Sequence, residues 1–142
     1  MKVSARNVFK GTISALEPGA VNAEVTLSLP GGNLLVAVVT MASVKNLDLA
    51  VGKEAVALVK APWVMLMTEG SDIRLSARNC LTGTVSSVTD GAVNAEVVVT
   101  LDGGADVYAI VTRQAVEELG LAPGVSATAV IKASHIILGV PA

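Results

Sequence analysis

The sequence predicts an all-β fold class, two tandem OB-like Greek-key β-barrels, each with one short helix. Three observations predict it. The chain repeats itself without a gap at an offset of 72 residues, so that Ser4 falls on Ser76, Gly31 on Gly103 and Lys60 on Lys132. Roughly 30 of about 70 aligned positions are identical, a period too long for a solenoid repeat and suited to a minimal domain. Within each half, short runs of Val, Ile, Leu and Ala are divided by turn residues, with one helical segment after the third run.

The elements follow in order. "SARNVFKGTISAL" and "SARNCLTGTVSSV" contain the first strand of each half, and "GAVNAEVTLSL" and "GAVNAEVVVTL" the second. The turns "PGGN" and "DGGA" end them, where glycine supplies positive φ. "LLVAVVT" and "DVYAIVT" are third strands. The helical piece is clearest in "TRQAVEELG", where Thr112 caps the start and Gly120 the end. Two further β-rich runs, "AVALVKAPWVMLMT" and "ATAVIKASHIILGV", complete a five-stranded plan. The expected boundaries are 1–68 for the first domain, 69–72 for a polar linker within "TEGSD", and 73–142 for the second domain.

Composition narrows the function. Hydrophobic residues make up 52% of the chain, yet Phe9, Trp63 and Tyr108 are its only aromatics. Small aliphatic side chains suit narrow barrels and close subunit contacts. Two small domains bury little surface alone, so the apolar excess points to an oligomer. A net charge of −2 provides no basic field, and no aromatic platform recurs, which argues against a nucleic-acid-binding OB protein. The single cysteine, Cys80, allows no intrachain disulfide, fits a reducing compartment, and aligns with Val8, which reads as an apolar structural role. "MKVSARNVFKG" lacks a signal-peptide core, and the uncharged stretch from Val25 to Val44 is broken by "PGGN", so neither export nor a membrane span is expected. The expected location is cytoplasmic. His135, the only histidine, aligns with Trp63, and no His/Cys cluster or nucleophile–base pair is visible. The expectation is a non-enzyme with no catalytic residue, no bound metal ion and no cofactor.

Ser4, Arg6, Asn7, Asn22, Glu24, Thr40 and Lys60 all recur, while Lys45 aligns with Glu117 and Lys53 with Val125. Arg6/Arg78 and Lys60/Lys132 are the only cations identical in both halves. Cations grouped with hydroxyl and amide donors make an anion site; the alternative is that each arginine pairs with Glu24 or Glu96 at a surface. Thr40 and Thr112 fit a capping role, with first-turn N–H groups able to face an anion.

"SARN", "GAVNAEV", "VVT" and "VKAPWV"/"IKASHIILG" together resemble the molybdate-binding Mop domain of the molbindins, in its two-unit form, over essentially the whole chain. The resemblance implies a homotrimer of six Mop units that binds molybdate, and tungstate as its analogue, at inter-subunit sites for intracellular molybdenum storage or homeostasis. It implies that Ser4, Arg6 and Asn7 belong to a loop wrapping the anion, and that Thr40, Ser43, Lys60 and Ala61 complete the site. The second set is Ser76, Arg78, Asn79, Thr112, Lys132 and Ala133. Anions on the three-fold axis would meet Ala20, Val21 and Asn22, and Ala92, Val93 and Asn94. The halves depart from one another where Ala115 replaces Ser43 and Ser134 replaces Pro62, so Ser134 is expected to compensate for the hydroxyl lost at Ala115. No helix-turn-helix or phosphate-loop motif accompanies the repeats, so no nucleic-acid or membrane partner is expected. A ligand-free structural oligomer is the other alternative.

Overall fold

A computed structural model describes residues 1–69 and 72–142. Gly70 and Ser71, within the expected linker, lie outside the described residues. In the first half, β1 (Asn7–Pro18), β2 (Asn22–Ser28) and β3 (Leu34–Thr40) lead to α1 (Met41–Asn46). The strand β4 (Glu54–Val59), a 3-10 turn (Ala61–Trp63) and β5 (Met65–Met67) follow. The second half repeats the order: β6 (Asn79–Asp90), β7 (Asn94–Leu101), β8 (Asp106–Thr112), α2 (Arg113–Leu119), β9 (Ser126–Ile131), a 3-10 turn (Ala133–His135) and β10 (Ile137–Gly139).

Side chains on a strand alternate between faces, and the sequence obeys that period. Ala23, Val25 and Leu27 of β2 and Leu35 and Ala37 of β3 point inward, with Glu24, Thr26 and Val36 between them. The long strand β1 serves two neighbours, pairing with β4 through its first half and with β2 through its second. A bulge between Ile13 and Ala15 bends it between the two tasks, and β6 bends likewise between Val85 and Ser87.

The halves do not close separately. One sheet has the order β10-β4-β1-β2-β3, and the other β5-β9-β6-β7-β8. Each sheet therefore takes a strand from the opposite half. Leu138 of β10 lies opposite Ala57 in β4, and Leu66 of β5 opposite Ala129 in β9. The cause is local. After β4 the 3-10 turn packs on β8, and after β9 its counterpart packs on β3, carrying the chain across the junction. The two halves have the same pattern, so β5 and β10 suit either open edge, and tertiary geometry chooses. Buried residues of both halves, from Phe9 and Ile13 to Ile131 and Leu138, consequently form one continuous core.

The helices end as their sequences demand. Thr40 Oγ1 accepts the Ser43 N–H at 3.0 Å, and Thr112 Oγ1 accepts the Ala115 N–H at 3.1 Å. Gly120 closes α2 at φ 64, while its counterpart Asp48 holds φ 53 and accepts from Lys53 Nζ at 2.6 Å. The "PGGN" and "DGGA" turns meet between the halves, where the Gly103 N–H donates to Asn33 Oδ1 at 3.1 Å. A Cβ on Gly31, whose φ is +94, would run into the Gly103 carbonyl.

Candidate anion-binding site

The two "SARN" segments enter β1 and β6 from opposite sides of the junction, and their residues separate by task. Asn7 and Asn79 are each 1% exposed. Asn79 Nδ2 donates to the Val36 carbonyl at 2.8 Å and its Oδ1 accepts the Val36 N–H at 2.8 Å; Nδ2 also reaches the Ile131 carbonyl at 3.2 Å. Asn7 treats Tyr108, the repeat counterpart of Val36, the same way, at 2.8 and 2.7 Å. Each amide thus acts as a one-residue strand on the outer edge of the opposite sheet. A buried amide satisfied in this manner holds the halves together.

The arginines cross the same junction. Arg6 Nε and Nη2 donate to Glu96 at 3.1 and 3.0 Å, and its guanidinium lies 4.7 Å from the Tyr108 ring centre. Arg78 pairs with Glu24. The pairing alternative for the repeated arginines is thus the one seen in the structure. The glutamates orient the guanidinium groups, and these remain about half exposed at the surface. Glu24 and Glu96 recur in the sequence as faithfully as the arginines do, and that recurrence was the signal for the pairing.

Two adjoining clefts collect several of the remaining candidates on one side of the molecule. One, of about 380 Å³, is lined by Ser76, Arg78, Lys132, Ala133 and Ser134 of the second half and by Val38 of β3. The other, of about 330 Å³, brings Asn22, Thr40 and Ser43 together with Ser134. Val38 and Ser134 border both clefts. The donors of the first half's β3–α1 corner therefore face the second half's "KAS" turn. The related arrangement sets the "KAP" turn, with Lys60, Ala61 and Pro62, against β8, whose last residue is Thr112. Lys60 Nζ also lies 5.5 Å from the Trp63 ring centre. Ser4, Ser76, Lys60 and Lys132 are all exposed.

Ala20 and Val21 sit in the exposed β1–β2 turn and Asn22 opens β2, while Ala92 and Val93 sit in the β6–β7 turn and Asn94 opens β7. Val21 and Val93 are 73% and 72% exposed. Their carbonyls accept from the first helical N–H groups, of Met41 at 2.8 Å and Arg113 at 3.0 Å. Helices of six and seven residues add little dipole of their own, so the useful groups here are side chains and loop amides.

His135 stacks on Trp63, its own repeat counterpart, at 5.0 Å between ring centres, and its Nδ1 is buried without a partner. Cys80 is exposed, like Val8, so the expected apolar structural role is not one of core packing: both point outward from their strands. Among the described residues no cluster of His, Cys, Asp and Glu is arranged for a metal ion, and no helix is long and apolar enough to cross a membrane.

Comparisons with known proteins give the geometry its context. The family model described as the TOBE domain matches twice, over residues 3–66 and 75–138. A solved structure described as the cytoplasmic molybdate-binding protein ModG with molybdate bound is 65% identical, covers 99% of this chain and 100% of its own, and superimposes with a TM-score of 0.96. The molybdenum-pterin-binding protein MopA of Rhodobacter capsulatus is 47% identical over 99% of this chain. The molybdenum transport protein ModE of Azotobacter vinelandii is 49% identical over the same share. The chain spans about half the length of these curated relatives, 53% of the first and 52% of the second.

Proposed function

The chain belongs to the TOBE domain family, in a two-unit form, and from that premise we propose that it binds molybdate inside the cell as a store or buffer. One observation carries the proposal. A chain whose fold matches a molybdate-bound protein at a TM-score of 0.96 gathers Arg78, Lys132, Ser76 and Ser134 around one cleft, with Thr40 and Ser43 beside it.

Molybdate at neutral pH is a tetrahedral dianion with no proton to donate. Hydroxyl, amide, guanidinium and ammonium donors suit all four of its oxygens. A protonated phosphate oxygen would find few acceptors there. Sulfate carries no proton either and must be rejected by size, because its oxygens lie closer to the central atom. Tungstate matches molybdate in size and binds as its analogue. Neutral donors share the work of compensation, which suits a chain with a net charge of −2.

The proposed donors are Ser4, Arg6, Lys60, Ala61 and Thr112 in one set, with Ser76, Arg78, Lys132, Ala133, Ser134, Thr40 and Ser43 in the other. Asn7 and Asn79 serve by fixing the loop, since their own amides are spent on Tyr108 and Val36. We assign the Ala20–Asn22 and Ala92–Asn94 turns to contacts between copies in a homotrimer, with anions held among them; exposed Val21 and Val93 support that assignment. Sites at such seams would couple anion filling to assembly by mass action. The aromatics favour an anion over a nucleic-acid strand: Phe9 is buried, Trp63 stacks on His135, and Tyr108 lies under Arg6. No bond-breaking chemistry is assigned, and the protein acts as a binder in the cytoplasm.

Calorimetric titration with molybdate, tungstate, sulfate and phosphate, beside metal analysis and mass of the purified oligomer, tests the proposal. Saturable binding of the two larger oxyanions by a trimer is expected. No molybdate heat, or equal competition by sulfate, overturns it.

A further inference from the structure

We infer that the two proposed donor sets of one chain, one around Ser134 and one around Thr112, are unequal, and that the strand exchange makes them so by collecting the variable hydroxyls on one side. The inference rests on the proposed oxyanion binding and goes beyond it, to which cleft fills first and which residues decide.

The sequence differs between halves at two of the site positions that carry hydroxyls. Ser43 is matched by Ala115, and Pro62 by Ser134. Were each half to build its own cleft, each would carry one of these two serines. The exchange pairs them differently. Ser134 borders the cleft that holds Thr40 and Ser43, whereas the turn containing Pro62 packs on β8, which ends at Thr112.

Proton accounting follows from the hydrogen bonds. Thr40 Oγ1 accepts the Ser43 N–H and donates its own proton to Ser43 Oγ at 2.9 Å. The Ser43 hydroxyl proton is left to point into the cleft, strengthened by the donor behind it. Ser134 adds a second free hydroxyl. On the opposite side Thr112 caps α2, and Ala115 offers no oxygen to receive its proton, so Thr112 is the one free hydroxyl there beyond Ser4, which Ser76 matches on the first side. Pro62 contributes none. Each proposed donor set holds one arginine and one lysine, so the difference lies in the neutral donors. One additional hydroxyl bonded to a dianion changes affinity by about ten-fold.

The Ser134 cleft is therefore the tighter of the two, and Ser134 and Ser43 are its determinants. The test is calorimetric titration of the full chain with sodium molybdate. Beside the anions held among the turns at 20–22 and 92–94, the wild type should show two classes of cleft site, about ten-fold apart. Ser134→Ala should bring the tight class down to the weak one, and Pro62→Ser should raise the weak class toward the tight one. The deciding variant is Ser43→Asp combined with Ser134→Asp, which sets like charge against the anion. With both serines in one cleft, the double variant keeps a single class of cleft site at the wild-type weak affinity. If each serine belonged to its own half's cleft, both classes would vanish. A thermal melt of the double variant confirms that it folds, and the Ser134→Ala and Pro62→Ser results stand without it. A single class of cleft site in the wild type, or loss of both in the folded double variant, overturns the inference and leaves oxyanion binding intact. No binding by the wild type instead overturns the reading on which it rests.

Discussion

Asn79 hydrogen-bonds both main-chain groups of Val36, forty-three positions earlier in the chain, at 2.8 Å each. With Asn7 on Tyr108 it forms a symmetric clasp between the two halves. Asn79→Ala is expected to lower the unfolding free energy by about 2–4 kcal/mol, because buried groups at Val36 and Ile131 lose their partner. Urea denaturation measures this. Asn79→Asp should not rescue it, since a carboxylate can accept from the Val36 N–H but cannot donate to the carbonyls.

The exchanged strands predict the behaviour of the separated halves. A fragment of residues 1–69 keeps β5 but leaves β4 without β10. Because β5 and β10 are counterparts, it should pair with a second copy of itself through reciprocal β5–β4 exchange. Light scattering after size exclusion should give a dimer, and adding a 72–142 fragment should convert it to the one-to-one complex. A stable monomeric fragment would contradict the exchange.

The crosswise ion pairs hold position more than they stabilise. Arg6 and Arg78 are about half exposed, so Arg6→Ala should cost less than about 1 kcal/mol in thermal or urea unfolding. Glu24→Gln should instead change binding. Removing that carboxylate releases Arg78 and takes a like charge from beside the cleft, so molybdate affinity should rise a few-fold. Unchanged affinity would mean that Arg78 does not meet the anion.

Contact between the two glycine-rich turns is a stability determinant separate from binding. Gly31→Ala drives a methyl group into the Gly103 carbonyl at a positive φ and should cost about 2–4 kcal/mol. Gly32→Ala has a similar φ and open space around it, so about 1 kcal/mol is expected. A pair of melting curves separates strain from collision.

Acid stability should carry a small contribution from Asp48. Hydrogen bonding and charge from the Lys53 ammonium hold its carboxyl below the ordinary carboxylate value of 3.8. The folded state therefore favours the ionised form. The contribution is present above the unfolded value and fades as pH falls through the folded one. In Lys53→Met the Asp48 carboxyl should titrate close to 3.8 by NMR, and the acid limb of stability should shift accordingly.

Much of the architecture was legible in the sequence, for a local reason. Strand faces in β2 and β3, the Thr112 and Gly120 caps, the glycine turns and the two-fold repeat all follow from side-chain period and backbone preference within a few residues. Recurrence also marked Arg6, Glu24, Thr40 and Lys60 as a retained polar set. What no local pattern specified was which half each residue would face. Identical grammars make the open edges of β4 and β9 equally suitable for β5 or β10, and only the packing of the 3-10 turns across the junction decides between them. That choice sends Asn7 to Tyr108, Arg78 to Glu24 and Ser134 to the side of Ser43, because contacts between distant segments depend on the geometry of the shared core rather than on the residues beside them in the chain.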